Sequence, residues 1–521
     1  MSKKKSIVSV FLSIIFLCNA SYSFDKIFQK PPQPKPTPDK TNSAKKTFDD
    51  IVFDWSGTFA EVLRITGEKH YKISNAQNCM IKAINSFLNN LDPHSSFLDP
   101  KTYKSILETT SGKFFGIGIV IDNTRSAKDK FLTVINTIPE GPSEKSGVKA
   151  HDKIIEIEGK KLEGMTTEEA TAKLRGPRNT KVRIKVLREN KKSPLSFEIT
   201  RDEIKAQTSF SFYIKEYDIY YVSLATFSQT AVNQIKSILE KSVKEQHKGL
   251  IIDLRNNSGG LLKSVVAIAG LFLEKGSLVV TTKDKNNKKI AEYKTTQDPV
   301  ANINIPIFIL TNNYTASASE ILAGCLKIHS EKLSKQAQGK PQNKLMAFIV
   351  GTKTFGKGSV QEIIPIGNSA IKLTTSLYFL PDDTTIQGQG ITPDFEIAKL
   401  FPPPEKVTWF LQHYGREEAL KHSIKPDSDK KNNTNSSAAK LSTQNSQQKS
   451  KKDKTPKTWA ERIKSILEKD NQFKDTIKLI NLFDLAKKTL PHKVVSRETA
   501  VAFLKEASAL NGKINMQEVK I

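Results

Sequence analysis

The stretch LIIDLRNNSGGLLKSVVAIAGLFL, residues 250–273, reads as a buried strand, a tight turn closed by Gly259 and Gly260, and a helix. Leu250 to Leu254 has almost no polar face, which suits a strand covered on both sides rather than one with a wet face. Leu261 to Leu273 continues as an apolar helix. The order recurs downstream, where Ile305 to Leu310 is a second buried strand and a helix starts at about Ala318. Strands alternating with helices from Ile204 to Lys399 argue for an α/β layer architecture.

With 521 residues the chain is too long for one hydrophobic core. We read it as a multidomain α+β protein. Phe48, Val52, Trp55, Phe59 and Val62, then Met80, Ile84, Phe87 and Leu91, fall at helical spacing and predict an N-terminal helical domain over 48–112. Residues 113–203 change to short β-rich runs separated by turn residues, with one helical stretch at Thr167 to Leu174, and predict a compact β module. The α/β core takes 204–400, with a polar surface insertion near 330–343 and an extension over 401–424. Residues 425–457 hold nine lysines, three aspartates and almost nothing apolar, and read as a disordered basic linker. A C-terminal helical region over 458–521 opens on a Thr458/Glu461 capping pattern and carries Trp459, Ile463, Ile466, Phe473, Ile477 and Ile480. It is expected to dock on the core or on a second subunit.

At the other end, Lys3, Lys4 and Lys5 precede an apolar run from Ile7 to Cys18. That run is short of the about 20 residues a membrane-spanning helix needs. It suits a signal peptide over 1–23, with a retained anchor as the alternative. A Pro/Lys-rich linker follows over 24–47. The expected location is a periplasm or cell envelope. The net charge of +27 raises nucleic acid or membrane as partners. The lysines, however, are scattered among acids and lack a zinc-knuckle or aromatic-and-Arg signature, which argues against nucleic acid. Cys79 and Cys325 sit at apolar positions of helical patterns and read as two buried hydrophobes rather than a disulfide. With so few cysteines and no clustered histidine, a thiolate metal site is excluded.

Three segments carry candidate chemistry: Asp253 to Gly260, Thr315-Ala-Ser317-Ala-Ser319-Glu320, and Gly351 to Gln361. The middle one leaves a buried strand and enters a helix. Serine there is often only a helix cap, but the same position exposes a hydroxyl to unpaired N–H groups and the helix dipole. That suits a nucleophile beside an oxyanion hole. The last segment nearly spells a phosphate loop, yet Gly358 stands where Ser or Thr must hold magnesium, and strands rather than a helix follow. The glycines of the first segment suit a tight turn, and also leave backbone donors uncovered. None of the eight histidines lies in a triad context. Ser–Lys chemistry is the alternative. A lysine base needs its pKa lowered by roughly three units, about 4 kcal/mol, and desolvation can supply that.

Together these segments resemble the C-terminal-processing, or tail-specific, protease family of Ser–Lys peptidases. The resemblance runs from Phe48 to Ile397 and adds Leu91-Asp-Pro-His94-Ser-Ser, Phe114-Phe-Gly116-Ile-Gly118-Ile, Pro139 to Ser143, Leu174-Arg175-Gly176 and Gln387 to Asp394, in order. It implies that the β module is a PDZ domain, that Ser317 is the nucleophile and Lys357 the base, and that Gln361 assists. The oxyanion hole would use Ala318 with Gly259 or Gly260. Phe115, Gly116, Ile117 and Gly118 would receive a substrate's C-terminal carboxylate, and Arg175 would couple tail binding to activation. The implied substrates are proteins and peptides with nonpolar C-termini, and no cofactor or metal is implied. The alternative is an inactive PDZ scaffold that only binds peptides. A homodimer, an adaptor protein and a peripheral membrane association are left open as partners.

Overall fold

The computed structural model describes residues 47–72, 75–121, 130–138, 140–189, 191–245, 247–300, 305–336, 345–398, 417, 422–424, 467–494 and 496–511. The expected signal peptide, the first linker up to residue 46, the basic linker over 425–457 and the Thr458/Glu461 cap lie outside the described residues. The chain divides into two compact units, Met1–Met80 and Ile81–Ile521. No described helix is long and apolar enough to cross a membrane.

In the first unit, helix α1 (Phe48–Lys69) starts at a capping box between Thr47 and Asp50 and buries none of its side chains. Phe48, Phe53 and Trp55 are each about two-thirds exposed or more. The helical spacing therefore locates the element, but among the described residues it builds no core there. Cys79, on helix α2 (Ala76–Leu91), is exposed rather than buried as expected, while Cys325 is buried, and both are free thiols.

The second unit continues with β1 (Ser96–Leu98), α3 (Pro100–Ser111) and β2 (Lys113–Gly116). The β module follows as β3 (Ile119–Ile121), β4 (Leu132–Thr137), α4 (Pro142–Lys145), β5 (Lys153–Ile157), β6 (Lys160–Lys161), α5 (Thr167–Leu174), β7 (Lys181–Leu187), β8 (Leu195–Thr200) and β9 (Asp202–Lys205). Its sheet runs β3-β4-β5-β7-β8 with β6 on β5, and β2 pairs with β9. Along β7, Val182, Ile184 and Val186 point inward and alternate with exposed residues, as a sheet with one wet face requires.

The core holds β10 (Ser209–Ile214), β11 (Ile219–Leu224), α6 (Gln229–Lys244), β12 (Gly249–Asp253), α7 (Leu262–Ala269), β13 (Leu278–Lys283), β14 (Lys289–Lys294), β15 (Pro306–Thr311) and α8 (Ala318–Gln336). It ends with β16 (Met346–Gly351), β17 (Ser359–Ile366), β18 (Ser369–Phe379), β19 (Phe395–Glu396), α9 (Asn471–Thr489) and α10 (Arg497–Asn511). One sheet runs β10-β11-β12-β15-β16-β19 and is parallel from β11 onward. Its central strands β12, β15 and β16 are buried at every position and almost wholly apolar because both their faces are covered. Leu250, Ile252, Ile307, Ile309, Ala347 and Ile349 pack toward α6, α7 and α8. Ile251, Phe308, Leu310, Phe348 and Val350 pack the other way, against α9 and α10. The C-terminal helices thus dock on the core of the same chain. Buried ion pairs fasten them: Arg255 reaches Asp253 and Asp470 at 2.6 Å each, and Arg497 reaches Asp394 at 2.5 Å.

The expected surface insertion does not begin at Ser330. Helix α8 runs on to Gln336, with Ser330 and Ser334 buried against Leu345 O and Glu498. Two hydroxyl side chains with partners on neighbouring elements keep one face of this polar-looking stretch inside, while Lys332, Lys335 and Gln336 are exposed. The remainder of that stretch, 337–344, lies outside the described residues. A second sheet runs β1-β18-β13-β14, with β17 on β18.

Candidate active site

Ser317 occupies the turn between β15 and α8, one residue before the helix. Its φ of +56° is in the left-handed region, where a side chain costs about 1–3 kcal/mol. It is 9 % exposed. The surrounding turns hold it there. Thr315 Oγ1 donates to Leu254 O at 2.9 Å, and Ala316 N–H and Ser319 Oγ both donate to Asn257 O. A Cβ on Gly259 would lie 2.9 Å from that of Ser317, so the approach of the two turns requires glycine.

Glu320, in the first turn of α8, is fully buried, and its carboxylate accepts four hydrogen bonds. Oε2 takes the N–H groups of Ser317 (2.8 Å) and Lys357 (2.9 Å). Oε1 takes Gly356 N–H (2.7 Å) and the Thr354 hydroxyl (2.5 Å). One side chain therefore binds the Ser317 turn to the loop that carries Lys357. Burial pushes its pKa up to about 7, against the pull of those donors. The motif alone assigns Glu320 no role, although its place three residues after the serine, at a helix start, is a capping-box signal.

Lys357 Nζ donates to Gln361 Oε1 and to Ser359 O (3.3 Å), and no hydrogen bond joins it to Ser317 Oγ. The residue as a whole is only partly buried, but its amine lies deep enough that burial lowers its pKa to about 8. The charge of Lys372 adds to that lowering, and Glu417, Glu320 and Asp92 oppose it. At pH 7 about one amine in ten is then neutral. Gln361 Nε2 donates to Ser359 Oγ (2.9 Å) and Thr374 Oγ1 (3.1 Å).

Ala318 and Gly260 donate their N–H groups to no described residue. Gly259 differs: its N–H donates to Asn257 Oδ1 at 2.9 Å, so of the two alternative glycine donors the turn's own side chain has taken one. Buried Glu417 sits against the loop that carries Lys357, with its N–H donating to Phe355 O and its carboxylate bonded to Gln387 Nε2 (2.8 Å) and His94 Nε2 (2.7 Å).

Comparison with known proteins decides what this arrangement belongs to. The profile of Peptidase family S41 matches residues 218–397, and that of the PDZ domain matches 104–187. The chain is 34% identical over 396 residues to the carboxy-terminal-processing protease of Bartonella bacilliformis, covering 75% of this chain and 84% of that protein. The chain belongs to the carboxy-terminal-processing proteases of family S41. It is also 31% identical over 326 residues to the carboxy-terminal processing protease CtpA of Bacillus subtilis, covering 62% of this chain and 65% of that protein. A solved photosystem II D1 C-terminal processing protease is similar at 25% identity, covering 67% of this chain and 88% of that one, with a TM-score of 0.36. This chain is thus a serine peptidase with a PDZ domain.

In the PDZ domain of this S41 protease, Phe115 and Gly116 pair through β2 with Glu203 and Asp202 of β9. Ile117 O and Gly118 O accept from Ser143 and Ile138, while the N–H groups of Ile117 and Gly118 donate to no described residue. Gly118 has a φ of +72°, and a Cβ there would meet Ile204 Cδ1 at 3.1 Å. Arg175, the C-cap of α5, stacks on the Phe114 ring at 4.6 Å and pairs with Glu108 of α3 at 3.2 Å. It therefore bridges the module and the helix before it.

Proposed function

We propose that this S41 protease hydrolyses peptide bonds with Ser317 as nucleophile and Lys357 as general base, on proteins whose nonpolar C-terminal tails dock as an added strand at the PDZ edge. The observation that carries the reading is the Glu320 carboxylate, whose Oε2 holds the backbone N–H of both Ser317 and Lys357. Neutral Lys357 takes the Ser317 hydroxyl proton as Oγ bonds to the scissile carbonyl carbon. Charge on the carbonyl oxygen meets the N–H of Ala318 at the start of α8 and that of Gly260 in the turn between β12 and α7. The proton on Lys357 passes to the leaving amine, the C–N bond breaks, and water then releases the acyl group from Ser317. Gln361 accepts from Nζ and keeps the amine in place. Because Nζ bonds to Gln361 and Ser359 and not to Ser317, we assign the described arrangement to the enzyme before it engages substrate, with Arg175 as the link between a docked tail and the site. The basic, apolar start of the sequence supports export.

Ser317→Ala supplies the test. The variant should fold, bind a fluorescent peptide with a nonpolar C-terminus, escape labelling by an active-serine probe, and leave the peptide uncut. Cleavage by the alanine variant would sink the assignment.

A further inference from the structure

Beyond the Ser317 and Lys357 pair, a second set of polar residues meets the base from the segment between α2 and β1. Asp92 is 4% exposed. Its Oδ1 accepts the N–H groups of His94 (2.8 Å) and Ser95 (2.9 Å) and the hydroxyl of Thr374 (3.0 Å). Its Oδ2 accepts the Ser95 hydroxyl at 2.5 Å, and Ser95 Oγ in turn accepts Thr374 N–H at 3.0 Å. Thr374 stands on β18 directly opposite Gln361 of β17.

The direction of each bond follows from donor chemistry. An ionised carboxylate only accepts, so Thr374 spends its one proton on Asp92. Its oxygen can then only accept from Gln361, which turns the Gln361 NH₂ toward Thr374 and Ser359 and its carbonyl toward Lys357. A neutral lysine amine has two protons and one lone pair. With the protons on Gln361 Oε1 and Ser359 O, the lone pair is left as the one unassigned position on Nζ. That is the position a base needs for an incoming hydroxyl proton.

We propose that Asp92 and Thr374 are positioning residues for the base: through the Gln361 amide they fix which way the Lys357 lone pair points. The proposal rests on the Ser–Lys reading above. It gives a role to the Asp92-Pro-His94-Ser95 element, 282 residues from Thr374 in sequence. Charges from several elements also face the amine: Lys372 on β18, Glu320 on α8, Glu417, and Asp92 itself. Lys372 and Thr374, two apart on β18, share a strand face.

The test compares Thr374→Val, Thr374→Ser and Asp92→Asn in the full chain, using a fluorescence-quenched peptide with a nonpolar C-terminus and an active-serine probe across pH. Thr374→Val keeps the shape and the Asp92 charge but cuts the chain of bonds. We expect kcat to fall by about 10- to 100-fold with KM unchanged, no movement of the acid limb of the pH profile, and recovery in Thr374→Ser. Asp92→Asn removes a negative charge that favours the protonated amine, so its acid limb should move to lower pH while the maximum rate falls. A purely structural role would lower activity only in step with the folded fraction and leave the pH profile alone. Wild-type kcat in Thr374→Val, or no recovery in Thr374→Ser, overturns the proposal even if Asp92→Asn fails to fold. The outcome is separable from the parent reading, since Ser317→Ala tests the nucleophile independently of Thr374.

Discussion

The PDZ edge and the Ser317–Lys357 junction both present backbone N–H groups without a described partner, Ile117 and Gly118 in one, Ala318 and Gly260 in the other. Their charged groups differ sharply. At the PDZ edge Arg175 is 44% exposed and pairs with a Glu108 that is 26% exposed. At the junction Glu320 has no exposure, Asp92 has 4%, and burial lowers the pKa of the Lys357 amine to about 8. Gripping a carboxylate asks only for donors, which water can help to solvate. Moving a proton near neutrality asks for a charge made less stable by its surroundings, and only burial among paired groups provides that.

Substitution of Lys357 should break the junction and spare the edge. Lys357→Met is expected to lower kcat/KM by about 10³-fold or more, within the range for loss of a general base, while binding of a fluorescent nonpolar tail peptide stays within about twofold by anisotropy. Loss of tail binding as well would mean that the two regions are not separable.

Glu320→Gln sharpens the contrast at a residue that touches no substrate. A neutral amide cannot accept all four donors, so the Ser317 and Lys357 loops lose register, and kcat should drop by about 100-fold. The wild-type carboxyl has its pKa raised from 4.5 to about 7, so the folded protein binds the proton more tightly than the unfolded chain. Its contribution to stability therefore declines as pH rises from 4.5 toward 7 and is constant above, by an amount on the order of 3 kcal/mol. Urea denaturation across that interval should show the slope in the wild type and its absence in Glu320→Gln.

The smallest effect belongs to the edge. Gly118→Val adds a Cβ 3.1 Å from Ile204 Cδ1 at a φ of +72°. KM for tail-bearing peptides should rise roughly tenfold, with kcat at saturation within about twofold, because only uniform binding is removed. A fall in kcat as large as that of Glu320→Gln would erase the distinction between gripping and chemistry.

Much of this is legible in the sequence. Strands β12 and β15 announce themselves because both faces are buried and every position must be apolar; the PDZ strands do so because one face alternates. Ser317 was visible as a serine between a buried strand and a helix, where a plain helix cap also sits, and Lys357 was visible only through the family resemblance. The bonds that set their chemistry were not. Asp92 and Thr374 meet only because β1 and β18 pair, which no periodicity encodes. Nothing in the motif shows that Glu320 is buried between two loops, or that Asn257 Oδ1 takes the N–H of Gly259. Ser330 and Ser334 seemed to start a loop because polarity was read as exposure.

The account stands or falls on the Lys357 proton. The labelling rate of Ser317 by an active-serine probe, followed from about pH 5 to about pH 10, reads it directly. We predict a rate that climbs tenfold per unit and levels near pH 8, with no such limb in Lys357→Met. A rate still climbing at pH 10, as an amine at the ordinary lysine value of 10.5 would give, or a profile unchanged by removing Lys357, would contradict it.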